Sequence, residues 1–302
     1  MKDVAVILIN YNSSNHSINC LKSIYEKTSD AISFEVIITD NNSEITDFQN
    51  LEKQLRLHNF PNLTLIRNTT NTGFGGGNMT GFEKSNAKYI CFLNNDTILL
   101  NDCLSILKNY LDEHPQVGIA GAQAYTADGS FLISLDHFAS PTREILGRKF
   151  LELSNSKKYP KRKKLYSKPL QVNFVPGSLL FLKTEDFLQS GGFDTNIFLY
   201  YEETDLCIRL LKIGKPAYLV PDAKFMHFHG GSTERSLAIK KELKISLLYV
   251  INKHYGKFSR QIVLLFLIQK YFFSSIFKSK NRPILALLLK GAPITESMKY
   301  KQ

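Results

Sequence analysis

Residues 191–214 read GGFDTNIFLYYEETDLCIRLLKIG, which sets three carboxylates, Glu202, Glu203 and Asp205, directly behind the aromatics Phe198, Tyr200 and Tyr201. The run that follows has helical spacing: Leu206 and Leu210 are four apart, and Asp205 faces Arg209. The acids therefore fall at a helix entrance, where unpaired backbone N–H groups favour negative charge. A carboxylate held against aromatic walls loses hydration, so its pKa rises toward the range useful to a general base. Plain helix N-terminal acids over an aromatic core would read the same way.

A second cluster is His227-Phe228-His229, after the strand-like Lys224-Phe225-Met226. Alternation along an extended segment puts both rings on one face, the spacing of a metal-binding H-x-H pair or of core histidines. Residues 71–81, NTGFGGGNMTG, nearly spell the dinucleotide fingerprint G-x-G-x-x-G, but Asn78 stands where the third glycine belongs. The segment also follows a third strand instead of opening the first βαβ unit, so the fingerprint fails. Its glycines can still let backbone approach a phosphate or sugar ring.

The elements that must position these groups can be read from periodicity. Apolar runs at 4–9, 36–38, 63–66, 89–93 and 117–120 predict five strands. Helical repeats lie between them, at Cys20, Leu21, Ile24 and Tyr25, at Phe48, Leu51 and Leu55, and at Leu104, Leu107 and Leu111. Strands alternating with helices predict an α/β fold, a Rossmann-like and mainly parallel sheet flanked by helices. Ligands then bind at the carboxyl edge of the strands. The pattern breaks after about Gly121. KKYPKRKKLYSK at 157–168, with seven Lys/Arg, predicts an exposed loop between a donor half (about 1–125) and an acceptor half (about 170–232). Strand character resumes around Pro176-Gly177-Ser178.

With 302 residues, 43% hydrophobic and 22% charged, the chain is globular and long enough for one large domain plus an appendage. Cys20, Cys91, Cys103 and Cys207 show no C-x-x-C spacing and read as buried thiols. The chain enters a strand by Val4, which leaves no room for a secretory leader and predicts a cytoplasmic site. From Arg235 onward, 14 Lys/Arg face only Glu242 and Glu296, a balance of +12, whereas the first 234 residues hold 24 basic against 25 acidic. A neutral body with a basic tail suggests an anionic partner surface. The tail's apolar runs, at 262–268, 271–273 and 284–289, are each cut by Lys or Arg before the ~20 residues of a bilayer span. They predict helices lying on a membrane at 233–302, peripheral on the inner face, and no nucleic acid. The alternative is a soluble helical subdomain or a dimer face.

In order along the chain stand VILINYNS (6–13), EVIITDNNS (35–43), NTGFGGGNMTG (71–81), CFLNNDT (91–97), the acidic segment above and HFHGGS (227–232). This ordered set resembles inverting family 2 glycosyltransferases of the GT-A fold, particularly the bacterial rhamnosyltransferase-like branch, over about the first three quarters of the chain. The resemblance implies that Asp40 and Asn42 hold the nucleotide and that Tyr11 lines its base. A carboxylate at a strand end can accept the N3–H of uracil or thymine, though Asn-Asn-Ser would also form an Asx-turn. It implies donor contacts at Gly75, Asn78, Asn94 and Asn95. Asn94-Asn95-Asp96 occupies the family's D-x-D position, with neutral Asn94 in place of the first acid, so Asp96 is the implied metal ligand. A histidine five residues before a serine is the second, which from Ser232 is His227. The implied cofactor is a divalent cation, Mg2+ or Mn2+, set against the diphosphate.

The family's catalytic base aligns with Glu203, a glutamate where the family carries aspartate. Gly192, Phe193, Asp194, Glu202, Asp205 and His229 are implied as acceptor-binding or supporting groups. The resulting expectation is an inverting transferase that moves a sugar from dTDP-rhamnose or a UDP-hexose to a lipid-linked saccharide, in cell-surface polysaccharide synthesis such as that of O antigen. Two other readings stand beside it: a metal-dependent hydrolase of sugar nucleotides or phosphoesters built on His227 and His229, and a non-catalytic nucleotide-sugar-binding module.

Overall fold

The computed structural model describes residues 1–228 and 236–301. The chain begins β1 (Lys2–Asn10), α1 (Ser14–Lys27), β2 (Phe34–Asp40), α2 (Ile45–His58), β3 (Leu63–Arg67), α3 (Gly73–Phe82) and β4 (Ala87–Asn94). It continues β5 (Thr97–Leu99), α4 (Cys103–Glu113), β6 (Ile119–Tyr125), α5 (Pro141–Ser154), β7 (Leu170–Val172) and β8 (Leu179–Lys183). Then come α6 (Thr184–Ser190), α7 (Glu202–Lys212), β9 (Ala217–His227), α8 (Leu237–Phe277) and α9 (Arg282–Leu289).

Alternation along β1 shows why the sheet sits between two helical layers. Val4, Val6 and Leu8 enter one core with α1, α2 and α4, while Ala5 and Ile7 enter another with α6 and α7. Burial on both faces is what a near-continuous apolar strand requires. The described strands form one sheet in the order β3-β2-β1-β4-β8-β6-β9-β5, with β7 also on β9. β1, β2, β3 and β4 are parallel, as is β6 with β9; β8 runs antiparallel to β4 and β6, and β5 to β9. Register sets Asn10 beside Asp40 and Ile9 beside Asn94, so three strands end at one edge with polar residues.

Three elements differ from the sequence expectation. Residues 73–82 form α3, a helix the periodicity did not mark, so the helix expected third is α4. Glycines disfavour a helix, but here they permit contact. A Cβ on Gly81 would lie 2.6 Å from Ile7 Cγ2, and one on Gly73 (φ +74) 2.1 Å from the Phe198 carbonyl oxygen. The strand expected to end near Gly121 continues to Tyr125, and α5 follows it, opened by Pro141 after a Ser140 cap. Within the basic loop the lysines are solvated, as expected, while Arg162 turns inward to Asp136 (3.4 Å) and Glu152 (3.5 Å).

The expected boundary at residue 232 lies outside the described residues. Beyond it the chain does not hang free. Ile245, Leu248 and Ile251 of α8 pack with Ile197 and Ala139 of the body, and Val263 and Leu267 pack with Ile284 and Leu288 of α9. Gly256 (φ 84, ψ 170) bends α8 between these two contacts. By length and composition alone α8 could cross a membrane, where the sequence predicted only interrupted runs.

Candidate active site

Tyr200 and Tyr201 both adopt left-handed backbone (φ 72 and 73), a conformation that costs non-glycine residues of order 1–3 kcal/mol each. This turn ends directly in α7, whose first turn holds Glu202, Glu203 and Asp205 as expected. Glu202 and Glu203 line a cavity of about 830 Å³ together with Tyr200, Asp96 and His227. Glu202 is 2% exposed, and its Oε1 meets no hydrogen-bond donor among the described residues. Loss of hydration, then the charge of Glu203, raises its carboxyl well above the usual range. Burial likewise pushes Glu203 up to about 7, with Asp136 adding to the rise. A half-buried carboxyl on the cavity wall, pushed up to about 7, can exchange a proton near neutrality, as a general base requires.

Strand register brings the two expected metal ligands together. β5 pairs with β9 so that Thr97 faces His227, which carries Asp96 beside the ring. His227 Nε2 is 3.1 Å from Asp96 Oδ1, and the Phe228 N–H donates to the Asp96 carbonyl at 3.0 Å. A carboxylate oxygen and an imidazole nitrogen on a cavity wall suit Mg2+ or Mn2+. No third His, Cys, Asp or Glu converges on them among the described residues, so the pair fits an ion whose remaining ligands are phosphate oxygens and water. His229 and Ser232 lie outside the described residues.

A second cavity, of about 200 Å³, adjoins the first through Phe74, Asn94 and Leu199. Tyr11, Asn78, Asn94 and Asn95, four of the expected donor contacts, line it. Asn95 is held by donating to Ser13 Oγ (2.7 Å) and Ser17 Oγ (2.8 Å), and Asn78 by donating to the Phe74 carbonyl (3.1 Å). Two lining residues, Ile239 and Met298, lie outside the sequence motifs, while Asn41 and Phe198 lie within them without an assigned contact. Asn41 was within reach, because it sits in DNNS. Its side-chain oxygen accepts from the Thr72 N–H, and its amide donates to the Gly73 carbonyl (3.0 Å), which fixes the start of α3.

The other expected donor residues stand away from the cavity walls. Asp40 is 0% exposed and lines neither cavity; it accepts from Asn10 Nδ2 (2.9 Å) and the Ser43 N–H (3.1 Å), with Arg67 at 3.5 Å. These bonds are those of an Asx-turn, and they shape the strand ends. Asn42 is exposed in left-handed backbone and lines neither cavity. Gly75 packs beneath Phe193, whose Cβ would meet an added methyl at 3.4 Å. Phe193 itself is core, edge-on to Phe92 and Phe187.

The remaining expected acceptor groups tie elements together. The Gly192 carbonyl accepts from Arg209 Nη2 (2.6 Å). Asp194 accepts from Lys253 Nζ (2.7 Å) and the Tyr249 hydroxyl (2.9 Å). Asp205 is fully buried against Arg209 (2.8 Å), Lys253 (2.7 Å) and His254 (2.7 Å). Burial alone would raise its pKa, but the His254 hydrogen bond and the Arg209 and Lys253 charges hold it down to about 2. These acids anchor α7 and its preceding loop to α8 and face neither cavity.

Comparison with known proteins is consistent with this arrangement. Residues 5–186 match the family model for glycosyl transferase family 2. The chain is 25% identical over 259 residues to the rhamnosyltransferase WbbL of Escherichia coli, covering 83% of this chain and 93% of that protein. It is 27% identical over 274 residues to the N-acetylglucosaminyl-diphospho-decaprenol L-rhamnosyltransferase of Mycobacterium tuberculosis, covering 85% and 87%. A mannosyltransferase of Pyrobaculum calidifontis, solved with GDP-Man and Mn2+, superposes with a TM-score of 0.61 over 100% of this chain and 84% of that one. At 17% identity that likeness is one of fold.

Proposed function

The chain belongs to glycosyl transferase family 2 and has the GT-A fold, and from that premise we propose an inverting transfer from a nucleoside-diphosphate sugar to a saccharide hydroxyl. The observation that carries this reading is the convergence of Asp96 and His227 with Glu202 and Glu203 on one cavity. The smaller adjoining cavity takes the nucleoside, and the larger takes the sugar and the acceptor. Glu203 accepts the proton of the acceptor hydroxyl. The freed oxygen forms its bond to the anomeric carbon from the face opposite the diphosphate. The bond from that carbon to the diphosphate oxygen breaks, and the nucleoside diphosphate leaves with the electron pair. A divalent cation, held by Asp96 and His227, would supply the positive charge that offsets this leaving group. Glu202 keeps a second proton near Glu203 and limits the negative charge of the wall.

dTDP-rhamnose is the leading donor, supported by two relatives named as rhamnosyltransferases, with UDP-hexoses next. Ala122, Ala124, Ile133, Val175 and Phe225 are among the residues that line the larger cavity, and such apolar groups suit the methyl of a 6-deoxy sugar. A lipid-linked saccharide in cell-surface polysaccharide assembly is the proposed acceptor, supported by the decaprenol-linked substrate in the name of the mycobacterial relative. The enzyme would act at the inner face of the membrane, held by α8 and α9.

The test is a thermal-shift screen of nucleotide sugars with Mn2+, followed by assay of nucleotide release with and without saccharide acceptor. A shift with dTDP-rhamnose and release that depends on acceptor are expected. Release that proceeds equally without acceptor would replace transfer by hydrolysis.

A further inference from the structure

Glu242 is a carboxylate with 1% exposure inside α8, and no Lys or Arg is paired with it among the described ion pairs. Burying a charged or polar carboxyl is unfavourable unless donors meet it. Both of its oxygens are met from the far end of the chain: Oε1 accepts from the Ser297 hydroxyl and Oε2 from the Met298 N–H, each at 2.8 Å. Ser297 is itself 0% exposed. Lys299 then donates to the Thr195 carbonyl at 2.7 Å, in the segment leading to Phe198. Three consecutive residues near the end of the chain are thus fixed in place. The result is that Met298 joins Ile239, Tyr11 and Asn41 in lining the 200 Å³ cavity.

We propose that the turn at residues 294–300 is a built part of the nucleoside pocket, with Met298 as the apolar roof over the base and Glu242 as its anchor. The inference rests on the reading of this cavity as the donor nucleoside site. A thioether suits the role because it is polarisable and adapts to a planar ring. Ile239 and Glu242 lie three apart on α8, so one helical turn supplies both a wall residue and the anchor for the other wall residue. Met298 touches neither the metal pair nor Glu203, so it acts on donor affinity and on the choice of base, and not on the chemical step.

The experiment is calorimetric titration of the full chain with dTDP, UDP and inorganic pyrophosphate, each with Mn2+. Met298→Ala should weaken dTDP and UDP about tenfold, the scale of one apolar contact in a specificity pocket, and leave pyrophosphate within about twofold. Met298→Leu should restore nucleotide affinity. Unchanged nucleotide affinity in Met298→Ala, or equal weakening of pyrophosphate, would overturn the roof. Tighter nucleotide binding would overturn it as well, since the turn would then be a competitor for the pocket. A wild-type chain that binds pyrophosphate but no nucleoside diphosphate would overturn the donor-pocket reading itself and the roof with it.

Discussion

His227 Nε2 stands 3.1 Å from Asp96 Oδ1, although 131 positions separate the two residues in the chain. The β5–β9 pairing that makes this contact is a three-residue antiparallel ladder, so the pair depends on tertiary structure alone. The expectation is that Asp96→Ala and His227→Ala each weaken Mn2+-dependent binding of dTDP by about tenfold or more, the scale of losing one charged contact to the ion. EDTA should abolish turnover and added Mg2+ or Mn2+ should restore it. Calorimetry with and without chelator measures this, and full turnover in EDTA would remove the cation from the reaction.

Glu203, pushed up to about 7, gives a pH signature. As a base it must be ionised, so turnover should rise with pH through about 7 and level off above. Glu203→Gln should lower turnover by at least ~10²-fold with donor affinity kept. Stability should move the other way. The folded chain holds this proton more tightly than the unfolded chain, so stability falls as pH rises from 4.5 toward 7. Glu203→Gln should therefore raise the melting temperature at pH 8 and leave it near wild type at pH 4. Retained turnover in this variant would pass the base role to Glu202. Asp205 is a poor base, because the His254 hydrogen bond and the Arg209 and Lys253 charges hold its pKa down to about 2.

The Asp205 cluster should behave as a clamp. Removing one partner of a buried ion pair leaves the others uncompensated, at a cost of roughly 3–5 kcal/mol. Asp205→Asn should show that loss by urea denaturation at pH 7. In the wild type the contribution is present above about 3.8 and is lost as pH falls toward about 2, because the folded pKa is depressed. A denaturation midpoint unchanged in Asp205→Asn would mean that α8 does not hold α7 through this contact.

The parallel half of the sheet was legible because its strands are buried on both faces and leave unbroken apolar runs. Helix α3 was not, since glycine content argues against helix and only the contact with Ile7 and Phe198 explains it. In the proposed site, Asp96, His227 and Glu203 were reached through the ordered motifs of the family resemblance, and the fold gathers them on one cavity. Asp40 and Asp205 are acids of the same kind, but both are bound by other protein groups. Type and spacing cannot show that Asn10 and Ser43 already occupy one of them, or that Lys253 and His254 occupy the other. Ile239 and Met298 belong to no motif, and only the return of the chain end places them at the cavity.

The last prediction concerns membrane attachment, and the packing of the tail changes how it must be tested. Cutting the chain after Tyr255 would remove the exposed helical surface and also take Met298 from the smaller cavity, so a truncated form would mix two losses. Surface substitutions avoid this. Beyond the Gly256 bend, Phe258 (79% exposed), Phe273 (56%) and Phe277 (85%) project from α8, interspersed with Lys257, Lys270 and Lys278. Apolar rings beside lysines are the pattern of a helix that lies in an anionic interface. Replacing the three phenylalanines by serine should lower co-sedimentation with anionic liposomes by at least ~10-fold, since a buried Phe contributes about 1.5–3 kcal/mol. High salt should weaken the wild type too, because exposed charges are screened beyond ~10 Å at 0.1 M. Affinity for dTDP should be unchanged, since none of these rings lines either cavity. Equal recovery of wild type and triple variant in the pellet, at low and high salt alike, would reject this face as the membrane anchor and leave it as a surface for another protein.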